Sequence, residues 1–333
     1  LGAEQICPGA VGEVLLEVAK RHGIHIDTTG AGTTLILGNT LSGYAQGVYL
    51  LDVPEGSLVH QNQIDVCSDG IYLNDSSPTI TDTELTGLDG YPFVEENTCL
   101  PSISGTTLTG TSHFEGIGVK GTISADKTWS DVEGWGYPHV AIGNVTVDEG
   151  TTLTLPAGHW VKFDSGSQYR LIVSGTLDVQ GTASERVVFT SDRDDDDGFD
   201  SNGDGSASGA APGDWGYIQY NNGTSNVLDW CRIRYAGLVS NAAYAVRSYT
   251  GDIVIENNLF EQKFVASSIA LIRLDYSNGT ENPVIRNNTL DNGSYLVLLY
   301  FSGTDPLHTT VPLIENNSGA GNAVYGIYCD AVN

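Results

Sequence analysis

The chain contains few cations and no methionine. Its 333 residues include 14 Lys and Arg against 41 Asp and Glu, giving a formal net charge of −27. Without clustered positive charge it cannot replace the counterions of a phosphate backbone, so we expect no binding to nucleic acid. A polyanion of this kind attracts divalent cations instead. The absence of Met, even at position 1, predicts a mature product or the ordered part of something longer.

Long apolar runs and paired cysteine motifs are also missing. No run reaches the roughly 18 apolar residues of a membrane-spanning helix, so we expect no membrane insertion. The five cysteines form no C-x-x-C pair, which argues against a zinc knuckle or a thioredoxin motif. We nevertheless expect at least one disulfide, because other signals indicate an extracellular protein. The motifs G-x-S-x-G, H-E-x-x-H and the P-loop are absent as well.

A short phrase recurs in the N-terminal third of the chain. An apolar residue is followed three positions later by Asn or Thr, with spacings of 23, 21 and 23 residues between the apolar positions. A Gly followed by an apolar strand then comes ten to thirteen residues further on, as in Gly47, Gly70, Gly90 and Gly116. The apolar positions are Ile36, Val59, Ile80 and Ile103, and the polar ones are Asn39, Asn62, Thr83 and Thr106.

The phrase returns near the C-terminus with spacings of 30 and 29 residues, in segments that begin at Ile255, Ile285 and Ile314 and end at Asn258, Asn288 and Asn317. A motif repeated every 20 to 30 residues or so is typical of a solenoid with one coil per repeat. Equivalent apolar residues then stack inward, strands pair at about 4.8 Å, and equivalent Asn side chains hydrogen-bond along the axis. The L-x-x-L-x-L frame of leucine-rich repeats is missing. We therefore predict an all-β, right-handed parallel β-helix.

The remaining segments complete the predicted organisation. Residues 1–30 form an N-terminal cap and connection, with one amphipathic helix from Pro8 to His22 laid over the open end of the solenoid. Residues 31–125 form coils of about 21–23 residues, and residues 126–140 connect them to a second β-helix block at 141–333. Six alternating segments open that block, from Val145 to Phe189, with glycines as corners.

The segment from Val145 to Trp215 resembles bacterial secreted and cell-surface right-handed β-helix repeat proteins, whose solenoid is similar to that of pectate lyases. The resemblance is carried by Val145–Gly158, Leu171–Thr182, Val188–Ser191 and Gly213-Asp-Trp-Gly216, with Tyr217 replacing the Gly usual after Gly216. It implies the fold and an extracellular location, whereas function varies among such proteins.

The acidic loop at 192–214 is the clearest candidate site. Seven aspartates fall within the thirteen residues from Asp192 to Asp204. Alternating hard oxygen ligands separated by glycines suit Ca²⁺, so we predict a structural calcium site; a solvated acidic insertion is the alternative. The closing Glu of an EF-hand is missing. The predicted ligands are Asp192, Asp194, Asp196, Asp200, Asn202 and Asp204.

Two other surfaces could bind a polymer. The arginines at 232, 234, 247, 273 and 286 form an outward stripe suited to uronates, or they pair with acids on neighbouring coils. Exposed aromatic side chains in a row would stack on sugar rings, and packing in the core is the alternative. The aromatic candidates are Trp129, Trp135, Tyr137, Trp160, Tyr217, Tyr220, Trp230, Tyr235, Tyr244 and Tyr249.

Two functions from different classes remain. The first is a secreted or cell-surface structural or adhesive solenoid, stabilised by Ca²⁺ and self-assembling head-to-tail into a surface layer, fibre or stalk. Its expected partners are copies of itself, other surface proteins and polysaccharide. The second is a polysaccharide lyase, glycoside hydrolase or carbohydrate-binding β-helix. The sequence leaves catalysis open and favours the non-catalytic role.

Overall fold

The computed structural model describes residues 22–28, 32–110, 114–221, 226–237, 244–250, 252–261, 270–276, 282–291, 295–301, 312–319 and 325–331. Within these ranges the chain is all-β, a parallel β-solenoid of about 10 turns without a helix. The chain divides into two compact units. Unit 1 comprises Leu1–Gly118 and Asp131–Gly136, and unit 2 comprises Val119–Ser130 and Tyr137–Asn333. The helix predicted between Pro8 and His22 falls almost wholly outside the described residues.

Unit 1 has three parallel ladders, and each coil contributes one strand to each ladder. The first ladder contains β1, β4, β7 and β10, the second β2, β5, β8 and β11, and the third β3, β6, β9 and β12. The strands are β1 His22–Asp27, β2 Leu35–Leu37, β3 Thr40–Ser42, β4 Gln46–Leu51, β5 Leu58–His60, β6 Gln63–Asp65, β7 Asp69–Asn74, β8 Thr79–Thr81, β9 Glu84–Thr86, β10 Phe93–Glu96, β11 Ser102–Ser104 and β12 Thr107–Thr109.

The predicted apolar stack of unit 1 is confirmed. Ile36 pairs in register with Val59, Val59 with Ile80, and Ile80 with Ile103. The first three of these side chains are at most 4% exposed. Short strands with a single buried central residue are therefore sufficient to specify the coil, because each buried residue lies against its counterpart one coil away.

The alignment of the third coil was wrong by two residues. The sequence places Gly90 with Gly70, but Phe93 lies opposite Ile71, and the Gly70 amide donates to the Tyr91 carbonyl. A shift of two preserves the alternation of a strand, so Phe93 still points into the core and is 1% exposed. The same register places Glu95, which is buried, opposite Leu73.

Unit 2 also has three stacks of parallel strands, here named face 1, face 2 and face 3. Before them, β13 spans Ile117–Ile123 across the unit boundary, and β15, His139–Val147, is long enough to pair on both face 2 and face 3. Face 1 contains two separate sheets. The first consists of β14 Lys127–Thr128, β16 Thr152–Leu155 and β19 Thr176–Val179, and the second of β22 Asn226–Asp229, β25 Ile253–Glu256, β28 Val284–Arg286 and β31 Leu313–Glu315.

Faces 2 and 3 complete each coil of unit 2. Face 2 contains β17 Trp160–Phe163, β20 Val187–Ser191, β23 Cys231–Arg234, β26 Leu259–Glu261 and β29 Thr289–Asp291. Face 3 contains β18 Leu171–Val173, β21 Ile218–Tyr220, β24 Val246–Ser248, β27 Ala270–Tyr276, β30 Tyr295–Phe301 and β32 Tyr325–Ala331. All six segments predicted between Val145 and Phe189 lie in strands.

The C-terminal repeat forms the predicted stack and amide ladder. Ile255 pairs with Ile285, and Ile285 with Ile314. The Asn288 side chain accepts from the Asn258 amide at 2.9 Å and donates to the Ile255 carbonyl at 2.8 Å and to Asn317 Oδ1 at 2.9 Å. The Asn preceding each ladder Asn has a positive φ, between 52° and 57°, a conformation that Asn tolerates better than most residues. In unit 1, Asn39 donates in the same way to Asn62 Oδ1 at 2.9 Å.

Candidate functional site

The acidic loop after β20 docks on the outer side of face 2. Val140, Lys162 and Thr190 are register partners on β15, β17 and β20, and all three are fully buried. Val161 and Phe163 fill the core on either side of Lys162. Because side chains alternate along a strand, Lys162 projects outward, where the loop covers it.

Lys162 is one of two cations that hold the loop. Its Nζ lies 2.9 Å from Asp197 Oδ1 and 3.1 Å from the Phe199 carbonyl. The Lys162 and Asp197 side chains are 0% and 4% exposed. The Phe199 ring packs edge-on against Tyr137 at 5.3 Å between ring centroids. The loop is thus packed onto the solenoid here, contrary to the reading of a solvated insertion.

Arg234, on β23, is the second anchor. Its guanidinium lies 2.7 Å from Asp194 Oδ2 and 2.7 Å from Asp196 Oδ2. Thr190 Oγ1 donates to the same Asp194 oxygen at 2.5 Å. Two of the six predicted calcium ligands are therefore engaged by an arginine.

Three other predicted ligands form a compact turn of their own. Asp200 accepts from the amides of Asp204 at 3.1 Å and Gly205 at 2.8 Å, and Asn202 donates to Asp204 at 3.1 Å. Asp204 accepts from Ser208 Oγ and from the amides of Ser206, Ala207 and Ser208. These hydrogen bonds, that from the Ser208 side chain foremost, lower the pKa of the Asp204 carboxyl.

Asp192 lies apart from both groups. Its Oδ1 accepts from the Ser165 amide at 3.1 Å. Burial raises the pKa of this carboxyl to about 6. The six predicted ligands thus fall into three separate sets, and among the described residues no three His, Cys, Asp or Glu converge in a metal-binding arrangement. The calcium site stays a prediction.

Two neighbouring aspartates of the run, which the sequence prediction left out, have buried oxygens without a partner. Asp195 Oδ1 and Asp197 Oδ2 are enclosed and accept no hydrogen bond. Burial, as the largest effect, raises the pKa of both carboxyls. An orphaned buried acceptor is costly, typically about 1–3 kcal/mol. Because Lys162, which holds Asp197 against the solenoid, lies 35 positions away in the chain, no local pattern marks this contact in the sequence.

Face 3 carries a network of arginine and tyrosine. Arg247 and Arg273 are register partners on β24 and β27, and Asp275 accepts from both, at 2.7 Å and 2.8 Å. Arg247 stacks on Tyr249 at 4.4 Å, and Arg273 lies over Tyr244 at 5.0 Å. The face therefore combines paired cations with aromatic rings in a fixed geometry.

The arginines of the predicted stripe are paired with acidic residues of the same chain. Each of the five arginines forms an ion pair, mostly with an acid on a neighbouring strand, which agrees with the second of the two readings given above. The pairs are Arg232–Glu261, Arg234–Asp194, Arg247–Asp275, Arg273–Asp275 and Arg286–Glu256.

The aromatic candidates do not form one exposed row. Trp129, Tyr217, Tyr220 and Tyr244 are buried, whereas Tyr249 is 40% exposed. Four of the ten candidate rings therefore serve packing and five are half-buried. Tyr249 is the exposed candidate, and it lies beside an arginine.

The expected disulfide is not formed by the described cysteines. Cys67, Cys99, Cys231 and Cys329 are free, the first three buried and Cys329 exposed. Cys7 lies outside the described residues. Burial raises the pKa of the Cys231 thiol and so keeps it protonated.

A buried histidine at the start of β15 contacts a half-buried one that precedes β17. His139 is 3% exposed, stacks on Trp129 at 4.9 Å and places Nδ1 3.0 Å from His159 Nε2. Burial, with smaller contributions from His159 and Lys127, lowers the pKa of His139 well below its usual value. His139 is therefore a neutral core residue at physiological pH.

Comparison with known proteins identifies no relative of this chain. No family model matches the chain, and no curated protein or solved structure matches it. In the part of the chain that the structure describes, no helix has the length and apolar character needed to span a membrane.

Proposed function

We propose that this chain is an extracellular structural or adhesive solenoid, a component of a surface layer, fibre or stalk. The observation that carries the proposal is register pairing maintained from coil to coil in each unit, with buried columns such as Ile36–Val59–Ile80 and Ile255–Ile285. Such stacking gives a stiff element whose stability is distributed over many small interfaces. The resemblance of residues 145–215 to bacterial secreted right-handed β-helix proteins supports the location.

Head-to-tail association with copies of itself is part of this proposal. On β30 Val297 is 1% exposed, whereas its register partner Ile327 on β32 is 50% exposed. A further β-coil against β32 would bury Ile327 as β32 buries Val297, so a second copy is the occupant we propose. Other surface proteins and polysaccharide are the remaining proposed partners.

Electron microscopy and sedimentation velocity of the purified protein test the association. We expect filaments or higher oligomers from the parent chain and their loss in Ile327→Asp. Val227→Asp is the matched control. Val227 is 40% exposed on β22, so this variant also places a carboxylate on an exposed apolar surface, but on a different strand. Dispersed monomers of the parent chain at all concentrations would eliminate the filament, and equal effects of both variants would eliminate β32 as the contact.

Calcium stabilisation is the second part of the proposal. Asp195 and Asp197 supply enclosed oxygens without donors, and Asp200 and Asp204 are close enough to raise the pKa of Asp195. Ca²⁺ requires six to eight oxygen ligands, so backbone carbonyls and water would complete the site. The loop's concentration of negative charge provides the attraction.

A carbohydrate-binding role is the alternative that a specific observation favours. Tyr249 is exposed and stacked on Arg247, the arrangement that binds the flat face of a sugar ring and an acidic substituent. Incubation with pectin, alginate and related polymers separates the possibilities: unsaturated products would indicate a lyase, new reducing ends a hydrolase, and binding without cleavage that Tyr249→Ala removes would indicate a binding module. No binding would leave the structural role alone.

A further inference from the structure

Face 3 carries a cluster of positive charge in a chain whose net charge is −27. Arg170 immediately precedes β18, and Arg247 and Arg273 lie on β24 and β27. A concentration of cations on so acidic a chain indicates a local role for this surface. Strand register aligns one outward position of the face from coil to coil, and none of its residues is acidic: Thr146, Ile172, Gln219, Arg247, Arg273 and Leu298.

The charges of this cluster do not balance. Asp275 is the shared partner of Arg247 and Arg273, whose side chains are 20% and 18% exposed. Arg170 instead donates from Nη1 to the neutral Tyr217 hydroxyl at 3.0 Å, and within the described ranges it forms no ion pair. Three guanidinium groups therefore share one carboxylate. Partly buried like charges repel each other more strongly than charges in water, so an anion placed among them would offset that repulsion.

The Tyr217 hydroxyl joins two of the three arginines. Burial lowers the pKa of Arg247, but Asp275 foremost, then Tyr249 and a hydrogen bond with Tyr217, raise it. Because an arginine only donates, the contacts from Arg170 and Arg247 use the lone pairs of the hydroxyl and leave its hydrogen. Among the described residues no hydrogen bond uses this O–H as the donor, although the Tyr217 side chain is buried. Two guanidinium groups and an unused hydroxyl hydrogen thus meet at one place.

The donors of this cluster suit an anion with several oxygens. Arg170 adjoins β18 and Arg247 lies on β24, on either side of β21, so a bound anion must reach donors on separate strands. A carboxylate presents two oxygens in one plane, as Asp275 does to Arg247 and Arg273. A sulfate or phosphate group presents three or more oxygens in a tetrahedron. It carries one or two negative charges, against the two positive charges that Asp275 leaves uncompensated.

We propose that Arg170, Tyr217 and Arg247 form a binding site for a tetrahedral oxyanion, a sulfate or phosphate group. The two arginines supply charged donors, and the Tyr217 hydroxyl supplies its hydrogen. Tyr249, 40% exposed and stacked on Arg247 at 4.4 Å, lies beside the site, where it would contact the group that carries the anion. The site recognises the charge of the ligand and requires no sugar ring. The inference stands independently of head-to-tail association and of calcium, because it uses no residue of β32 or of the acidic loop.

Arginine side-chain NMR of the full chain, labelled with ¹⁵N-arginine, tests the site directly. We expect the Nε–H signals of Arg170 and Arg247 to shift and to saturate as sodium sulfate or sodium phosphate replaces sodium chloride at constant ionic strength. Arg286, which is 40% exposed and paired with Glu256, is the internal control and should not shift. Equal shifts at Arg286, or shifts that never saturate, would indicate general counterion association and overturn the proposal.

A comparison of three anions identifies the chemistry of the ligand. Sodium acetate, whose carboxylate is planar, should bind at least about tenfold more weakly than the better of sulfate and phosphate, because it leaves one of the donors unused. Tighter binding of sulfate would assign the site to sulfate esters, and tighter binding of phosphate to phosphate esters. Acetate binding as tight as that of both tetrahedral ions would overturn the assignment.

Two matched pairs of variants test the donors. Arg170→Gln should weaken sulfate binding about tenfold or more, because it removes a charged donor, whereas Arg286→Gln should leave the affinity unchanged. Tyr217→Phe, which removes one hydroxyl, should weaken it about threefold to tenfold. Tyr220→Phe is the control for that change, because Tyr220 lies three positions further along with its side chain fully buried in the core.

Circular dichroism verifies that each variant is folded. Parent-like sulfate affinity in Arg170→Gln would overturn the site, and in Tyr217→Phe it would exclude the hydroxyl from it. Should either variant fail to fold, the titration of the parent chain against Arg286 still decides.

Discussion

Arg247 and Arg273 lie directly opposite each other on adjacent parallel strands, and the carboxylate of Asp275 accepts hydrogen bonds from both. Like charges in register on neighbouring strands repel each other. The Asp275 carboxylate therefore offsets the repulsion between the two guanidinium groups. The three side chains are only 11–20% exposed.

Asp275→Asn should destabilise unit 2 by about 2–3 kcal/mol, because it leaves two partly buried arginines without their counterion. Equilibrium unfolding in urea measures the change. The matched control is Glu256→Gln, since its partner Arg286 is 40% exposed, and an exposed pair contributes less than about 1 kcal/mol. Equal losses in the two variants would contradict the assignment of Asp275 as the shared counterion.

Asn288→Ala should cost about 2–4 kcal/mol, because three hydrogen bonds in the buried amide ladder lose their partner at once. Chemical denaturation again provides the measurement. Asn316→Gly serves as control: Asn316 is exposed with a φ of 52°, which Gly adopts freely, so the change should stay below about 1 kcal/mol. A mild effect at Asn288 would mean that the ladder contributes little.

Gly175→Ala should destabilise the protein by more than about 2 kcal/mol. A Cβ at this corner would lie 2.2 Å from the Asp148 carbonyl oxygen and 2.3 Å from that of Thr151, so the backbone must move. Gly209→Ala has no atom within 4 Å and should be close to neutral. Thermal melts of the two proteins give the comparison, and a Gly175 variant with a parent-like Tm would contradict the packing of this corner.

Stability should fall as the pH drops below about 6.5, because the unfolded chain protonates His139 there whereas the folded chain, in which burial lowers its pKa, does not. The slope for one proton is about 1.4 kcal/mol per pH unit. Asp192 acts in the opposite direction below about pH 6, because its raised pKa lets the folded state bind a proton first. Urea unfolding of His139→Gln from pH 7.5 to 5 isolates the histidine effect, and an unchanged slope would argue against it.

Chelation should lower the Tm if the acidic loop holds Ca²⁺, because a cation bound to the folded state adds stability by mass action. Melting in excess EGTA against millimolar CaCl₂, with MgCl₂ as the control ion, measures the shift. Asp200→Asn should reduce the shift, whereas Asp126→Asn, an acid on the turn before β14, should leave it intact. The same Tm in all three buffers would remove the calcium proposal.

The buried columns and the Asn ladders were predictable, because they repeat at fixed intervals and each is specified by its own coil. The two-residue shift at Phe93 was not, since alternation gives the same pattern for any even offset. The docking of the acidic loop was also hidden, because Lys162 and Arg234 lie far from the loop in sequence and meet it only through the stacking of β17, β20 and β23. Strand β1 lies in a segment for which the sequence indicated only a cap and connection.

At the corner between β20 and β21, the number of residues in the connection does not affect the register of the strands on either side. Ser191 pairs with Phe163 before the acidic loop, and Ile218 pairs with Leu171 after it, so the ladders continue as though the loop were a tight turn. A coil can therefore lengthen at this corner without disturbing the columns beneath. The same freedom makes the position a natural acceptor for foreign peptides, which could be displayed on one side of a rigid scaffold while the neighbouring coils keep their alignment.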